Sequence, residues 1–401
     1  MLGPGTRSQI SRVKSLTHVI PQRMESSFNI QPIGRFAGAS KPVKRPKEFT
    51  CFSYDEAGRY HPDASSLKWY YTPQLGADLS QGYETFVKAD DSKDGHLDSL
   101  LKAVMLHEQE TEKKIDVNLL TWRGMMTKIM AAPFDVQDGF EMNATFYQDC
   151  IFIEENHAFK MENNNKPDTR TNRRGPPLKV MAFWGYKFET LSTLPAPWAE
   201  TSRDFIENRQ NEIVNNKAQY CTVVRTGIGS TTLCLGGEVD AIWDSKPKEK
   251  GKPINWVELK TTAELSHPNA VQAFHRKLMK YWIQSFLVDV PRIVVGFRTR
   301  DGILASVDEI ETQRIPDIVN SKPDPAWNAD MCVNFAAEFL DWLKTVVNDE
   351  GVWRIRRRQG DPTIEVFKTE ETGHGDIISD EFKNWRIKLA MKDQEASGQP
   401  A

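Results

Sequence analysis

Cysteine is scarce in this chain of 401 residues: Cys51, Cys150, Cys221, Cys234 and Cys332 are scattered singly, with no C-x-x-C pair. An odd, dispersed set of thiols argues against a disulfide scaffold or a zinc site and fits a reducing compartment. Long apolar runs are missing too; the stretch 286–297 is broken by Asp289, Pro291 and Arg292. Residues 1–14 lack the apolar core of an export signal. These absences lead to the expectation of a soluble intracellular protein with no membrane association. Excess positive charge is also lacking, since the net charge is −3. Non-specific nucleic-acid binders usually carry a strongly basic face, so any contact with RNA or DNA has to be local. One weak basic cluster, 41–47, reads either as a nuclear-import signal or as a solvated loop. What is present, 39% hydrophobic residues and 11 Trp, is enough for a folded core.

The chemistry concentrates between Leu233 and Thr262. Residues 231–243 and 254–261 are rich in β-branched and aromatic side chains, and the intervening 245–253 is Lys, Pro and Gly. Alternation along a strand puts Glu238 and Asp240 on one face, and Glu258 and Lys260 on one face. If the two strands pair, three carboxylates and one ammonium converge. Crowded carboxylates resist ionisation unless a cation joins them. Hard divalent ions take such oxygen ligands and keep positions for water and phosphate. The pattern therefore points to metal-assisted hydrolysis of a phosphate ester or anhydride, or else to two amphipathic strands with solvated charges.

Around this centre the sequence predicts an irregular segment over 1–47, one domain over 48–391 and a disordered tail over 392–401. The expected class is α/β (α+β), a single domain with mixed sheets flanked by helices. Strands are expected at 49–54, 117–122, 180–189, 220–226, 292–298, 303–307, 352–355 and 364–367, with a hairpin over 140–154 turning at Gln148-Asp149. Helical spacing marks 97–109, 202–216, 268–288, 327–347 and 382–391, and a short helix follows Arg123-Gly124. Lys280 and Gln284 share one face of the 268–288 helix. The segment 162–177 reads as a polar loop, and Gly227 to Ser230 as a hairpin turn. The arginines at 354, 356, 357 and 358 read as a phosphate-attracting patch or an exposed basic strand edge.

Five stretches in order carry a family signal: Thr121-Trp122-Arg123-Gly124, Gly185-Tyr186-Lys187-Phe188-Glu189, Gly237-Glu238-Val239-Asp240, Glu258-Leu259-Lys260 and residues 280–287, with similarity extending over 291–297. The chain resembles the DXO-type decapping nucleases and the fungal relatives that accompany the nuclear 5′→3′ exoribonuclease. The resemblance implies a fold related to the PD-(D/E)xK nucleases, with Asp240 and Glu258-x-Lys260 filling the signature. It implies that Glu189, Asp240 and Glu258, with the main-chain carbonyl of Leu259, bind Mg²⁺ or Mn²⁺. Glu238 would serve a second ion or its water, and Lys260 would orient the attacking water. Arg123 would contact 5′-terminal phosphates and Gln284 would assist at the scissile group. The expected activity is 5′-end quality control in the nucleus, on 5′-triphosphate, unmethylated-cap and NAD-capped RNA. Two other readings are a binding module that stabilises the exoribonuclease and a DNA nuclease of the same fold.

Overall fold

Two sheets carry the architecture of this computed structural model, which describes residues 26–165, 176–249 and 251–397. The larger has ten strands, in spatial order β1 (Ser26–Asn29), β16 (Thr363–Glu370), β15 (Val352–Arg357), β6 (Phe140–Tyr147), β7 (Cys150–Glu155), β5 (Leu119–Trp122), β10 (Thr231–Glu238), β9 (Gln219–Ile228), β2 (Val43–Tyr54) and β3 (Tyr60–His61). The smaller has six: β14 (Leu304–Glu311), β13 (Arg292–Arg298), β12 (Trp256–Ala263), β11 (Ala241–Ile242), β4 (Trp69–Tyr70) and β8 (Thr193–Leu194). Both are mixed. In the first, β5 runs parallel to β7 and β10, while β9 and β10 are antiparallel. In the second, β12 is parallel to β13 and antiparallel to β11.

The centre of the smaller sheet is covered on both faces, as the apolar run of β13 requires. Trp256, Ile293 and Val295 join the largest core with Leu233 and Leu235 of the other sheet and with the helices Pro268–Phe286 and Ala329–Val346. The alternate residues Val257, Leu259 and Val294 pack on Phe183, Trp184 and Phe188 of the helix Leu178–Leu191. A third cluster sets Leu100, Leu101 and Val104 of the helix Asp98–Thr111 against Ile378 and Phe382. At the β6–β7 turn Gln148 and Asp149 both have positive φ, 48° and 64°. That is the two-residue turn whose twist matches a hairpin, placed where the sequence puts it.

Several expectations need correction. The segment expected to be irregular up to residue 47 is ordered from Ser26 on. β1 pairs with β16, Phe28 packs edge-on to Phe335 and Phe339, and Ile30 and Phe36 are buried. Residues 180–189 are helix, not strand: Phe183, Trp184, Lys187, Phe188 and Leu191 recur at helical spacing and are buried. Aromatic and β-branched content suggested a strand, and tertiary packing overrode that preference. The helix expected over 202–216 stops at Asn208, followed by a 3-10 turn at Arg209–Asn211. Four asparagines, which compete for backbone hydrogen bonds, explain the early end. The final helix runs Asp380–Ser397, past the expected tail boundary. Of the 162–177 loop, Glu162 to Asn165 end the helix His157–Asn165 and 166–175 lie outside the described residues.

Both basic clusters lie in strands, so 43–47 is not a loop and 354–357 is not a sheet edge. Residues 43–47 lie in β2, with Arg45 bound to Asp289 at 2.7 Å. β15 is an interior strand, where Arg354 meets Glu141 at 2.6 Å, Arg356 meets Glu365 at 2.8 Å and Arg357 is buried. Among the described residues no helix is long and apolar enough to cross a membrane.

Candidate active site

The expected strand over 231–243 is broken, and the break builds the site. β10 ends at Glu238 in the larger sheet, and the chain re-enters at Ala241 in the smaller one. Glu238, Val239 and Asp240 therefore span the crossing between the sheets. Both carboxyls still line one small recess that opens to solvent, together with Glu189. β12 lies beside β11, and the Leu259 N–H donates to Asp240 Oδ2 at 2.6 Å. On β12 itself the expected shared face is found: Lys260 Nζ is 2.5 Å from Glu258 Oε1. Arg123 opens the helix Arg123–Ala131 directly after β5, and its guanidinium lies 3.3 Å from Glu258 Oε2. A Cβ on Gly237 would stand 3.2 Å from the Arg123 Cβ, so glycine there lets the arginine cross the strand end closely.

Glu189 arrives from the helix Leu178–Leu191, one turn from its C-terminus, where its carbonyl accepts a hydrogen bond from Thr193 Oγ1 at 2.8 Å. The helix is seated by Gly296 of β13: a Cβ there would lie 2.6 Å from the Phe188 ring. Gly296→Ala must therefore displace Phe188 and, with it, the adjacent Glu189. A loss of about 1–3 kcal/mol is expected in denaturant unfolding, since overpacking costs that much, together with weaker Mn²⁺ binding by calorimetry. Gln284 sits on the helix Pro268–Phe286, three residues beyond Tyr281, whose ring centroid is 5.9 Å from Lys260 Nζ. Lys280 is engaged elsewhere, with Asp135 and Asp138 at 2.7 and 2.6 Å. Of the expected set, then, Glu189, Glu238, Asp240, Glu258, Lys260 and Arg123 are brought together, and Gln284 lies on the same helix as a residue that reaches them.

The electrostatics divide the carboxylates into two kinds. Burial raises Glu189 well above the ordinary value, and Asp240 and Glu238 add repulsion. Burial, then Glu258, pushes Asp240 up to about 7. Glu238 is raised by burial against the pull of Arg123. Glu258 is the exception: burial would raise it, but Lys260 and Arg123 hold it below the usual range. Burial would lower Lys260, yet Glu258 and then Asp240 hold it above its usual value, so it stays an ammonium.

This donor set fits a divalent cation. The oxygens are hard, and the repulsion that raises Asp240 and Glu189 is what a metal would relieve. Binding must expel the protons those groups hold, and affinity falls where the protons compete. Mn²⁺ affinity is therefore expected to rise from about pH 6 to about pH 8, near tenfold per unit for each proton displaced. Calorimetry in buffers of different ionisation enthalpy reads that proton release directly.

Two features escape the sequence. Lys68 lines the recess but stands in no pattern that marks it, and Tyr186 lines it too, from within the 185–189 stretch singled out for Glu189 alone. Among the described residues, the trio of ligand atoms lying within 4.8 Å of one another belongs to Asp94, His96 and Glu154, not to the expected carboxylates. Glu154 is already engaged there, with His96 Nδ1 at 2.9 Å and Asn143 Nδ2 at 2.9 Å. The trio thus reads as a hydrogen-bonded tie between the 94–96 turn and β7.

A family model described as RAI1 like PD-(D/E)XK nuclease matches residues 44–383. Decapping nuclease RAI1 of Gibberella zeae is 72% identical over 370 residues, spanning 92% of this chain and 98% of that protein. A crystal structure of Candida albicans Rai1 in complex with pU5 and Mn²⁺ matches with a TM-score of 0.83 at 31% identity, covering 91% of this chain and 100% of the other. Scheffersomyces stipitis Rai1, in complex with (3′-NADP)⁺ and calcium ion, matches with a TM-score of 0.81 at 29% identity, covering 90% and 100%.

Proposed function

The chain belongs to the RAI1-like PD-(D/E)XK nuclease family, and from that membership we propose that it is a metal-dependent decapping nuclease acting on RNA 5′ ends. The observation that carries the reading is the crossing between the sheets, where Glu238, Asp240, Glu258 and Lys260 meet Glu189 and Arg123. Its substrates would be 5′-triphosphate RNA (releasing pyrophosphate), unmethylated-cap RNA and NAD-capped RNA. The Candida relative's complex with pU5 and Mn²⁺ and the Scheffersomyces relative's complex with (3′-NADP)⁺ support RNA and dinucleotide ends.

Glu189, Glu238, Asp240 and Glu258, with the Leu259 carbonyl, would hold Mg²⁺ or Mn²⁺, as two ions. Bound there, the metal supplies Lewis acidity at the scissile phosphate and eases ionisation of the attacking water. Lys260 acts as a cation and hydrogen-bond donor, not as a base, because its neighbours favour its protonated form. It orients the water and offsets charge growing on the phosphoryl oxygens. Arg123 offers a planar fork of donors to the 5′-terminal phosphates. Gln284 supplies a neutral amide toward the scissile group. The direct test offers the three RNA ends with Mg²⁺ or Mn²⁺ and then with chelator. Metal-dependent release of a 5′-monophosphate RNA is expected, and no product from any end would overturn the reading.

The resemblance to the fungal branch extends the proposal to a nuclear location and to association with the nuclear 5′→3′ exoribonuclease. Docking and catalysis are separable under this reading. Co-purification with the exoribonuclease should survive Glu258→Gln while hydrolysis does not; loss of both would place the docking surface at the active site.

A further inference from the structure

We propose that Lys68 is a phosphate-binding residue of the substrate path, holding an RNA backbone phosphate at the recess lined by Glu189, Glu238 and Asp240. The inference rests on the hydrolase reading above and extends it to the body of the RNA.

Lys68 directly precedes β4, and its carbonyl accepts the N–H of Ile242 at 2.8 Å. Its backbone is thereby fixed to β11, two residues beyond Asp240. Its side chain lines the same recess as Glu189, Glu238 and Asp240. The other two cations of the site are committed to one carboxylate: Lys260 lies 2.5 Å and Arg123 3.3 Å from Glu258. Lys68 stands toward Glu189 and Glu238, on both of which its charge acts. Yet its ammonium makes no hydrogen bond or salt bridge with any described residue. A lysine placed only to neutralise carboxylates would close on one of them. This one keeps three donors directed to no protein partner, and it is the sole cation among the residues lining the recess. The wall around it is neutral and polar, with Ser66, Asn215 and Gln219.

A polyanion crossing four carboxylates needs counter-charge at the phosphates that flank the scissile group. Arg123 answers for the 5′ side. Lys68 is the group placed to answer for a phosphate at the recess.

The test measures binding of 5′-phosphorylated pentauridylate, with Ca²⁺ present, to the full chain, to Lys68→Gln and to Lys68→Arg. Fluorescence anisotropy over a salt series should show Lys68→Gln binding about fivefold to tenfold more weakly, with the slope of log K against log salt reduced by about 0.7 for one lost phosphate contact. Lys68→Arg should retain most of the affinity. Single methylphosphonate substitutions along the oligonucleotide then locate the contact. One linkage should weaken the unaltered protein by the same factor and leave Lys68→Gln indifferent. An unchanged salt slope, or a Lys68→Gln effect confined to Ca²⁺ affinity in calorimetry, would overturn the assignment. Failure of the unaltered protein to bind the oligonucleotide at all would instead sink the hydrolase reading on which it rests.

Discussion

Asp240→Asn is expected to lower the rate of hydrolysis at 5′-triphosphate RNA by about a thousandfold or more, and at the same time to make the metal-free protein more stable. The first effect follows from position. Asp240 joins the two sheets' contributions, accepting the Leu259 N–H while facing Glu189 and Glu258. An amide of the same shape keeps the packing but loses the charge that would hold a metal, and with it the Lewis acidity that phosphoryl transfer needs. The second effect follows from linkage. The folded-state value of Asp240 is pushed up to about 7 from 3.8, so between those values the folded protein binds more protons than the unfolded chain. Stability of the metal-free protein therefore falls as pH rises through that window, and is lowest above it. Neutral asparagine removes the penalty, which is of order 1–3 kcal/mol at neutral pH given about 1.4 kcal/mol per unit and the residual solvent access of the site. Denaturant melts at about pH 5 and about pH 8 check the sign: the variant's advantage should be larger at the higher pH and clearly smaller at the lower. A variant less stable than the parent at both would refute the electrostatic reading.

Glu108→Ala should do the reverse, destabilising the fold while leaving the chemistry of each folded molecule intact. Glu108 is fully buried, and its carboxylate receives Arg386 Nη2 and Nε at 2.7 Å each, Trp385 Nε1 at 3.0 Å and the Ile115 N–H at 2.9 Å. Removing it leaves the Arg386 guanidinium buried without its counter-ion, a loss of about 3–5 kcal/mol. For a chain of this size that corresponds to a fall in Tm of about 5 °C. The double change Glu108→Leu with Arg386→Met should cost less than Glu108→Ala alone, because it buries no uncompensated charge. A double variant worse than the single would show that the pair contributes net stability rather than merely satisfying itself. The same bonds tie the final helix to the helix Asp98–Thr111, so early local unfolding is expected at the C-terminus of the Glu108→Ala protein.

The opposed signs of these two variants mark the difference between a site residue and a structural one. At Asp240 the fold tolerates a repelled carboxylate that the proposed metal site would use. At Glu108 every lone pair of a buried charge is answered.

Much of the site was legible in the sequence because period-two alternation and fixed spacing survive folding. Glu258 and Lys260 share a face of β12 as that rule requires, and the Gln148-Asp149 turn closes its hairpin where expected. Glu238 and Asp240 do face one recess, though for a reason alternation cannot supply: the chain leaves one sheet and enters the other between them. Glu189 was placed in the site by the family motif while its segment was read as a strand. Local propensity could not reveal that Phe183, Trp184 and Phe188 pack as a helical stripe against β12 and β13. Phe28 and Phe36 gave no periodic signal in a segment rich in polar residues and proline; only the far end of the chain, at β16 and the Ala329–Val346 helix, gives them a partner. Lys68 was missed for the same cause, since its meaning depends on a backbone hydrogen bond to a strand about 170 residues away.

The most direct measurement is anomalous diffraction at the manganese edge from crystals of the full chain soaked in Mn²⁺. Strong peaks within coordination distance of Glu189, Glu238, Asp240 and Glu258 are the expected result. Manganese found only beside Asp94, His96 and Glu154, with the crossing between the sheets bare, would contradict the assignment of the active site.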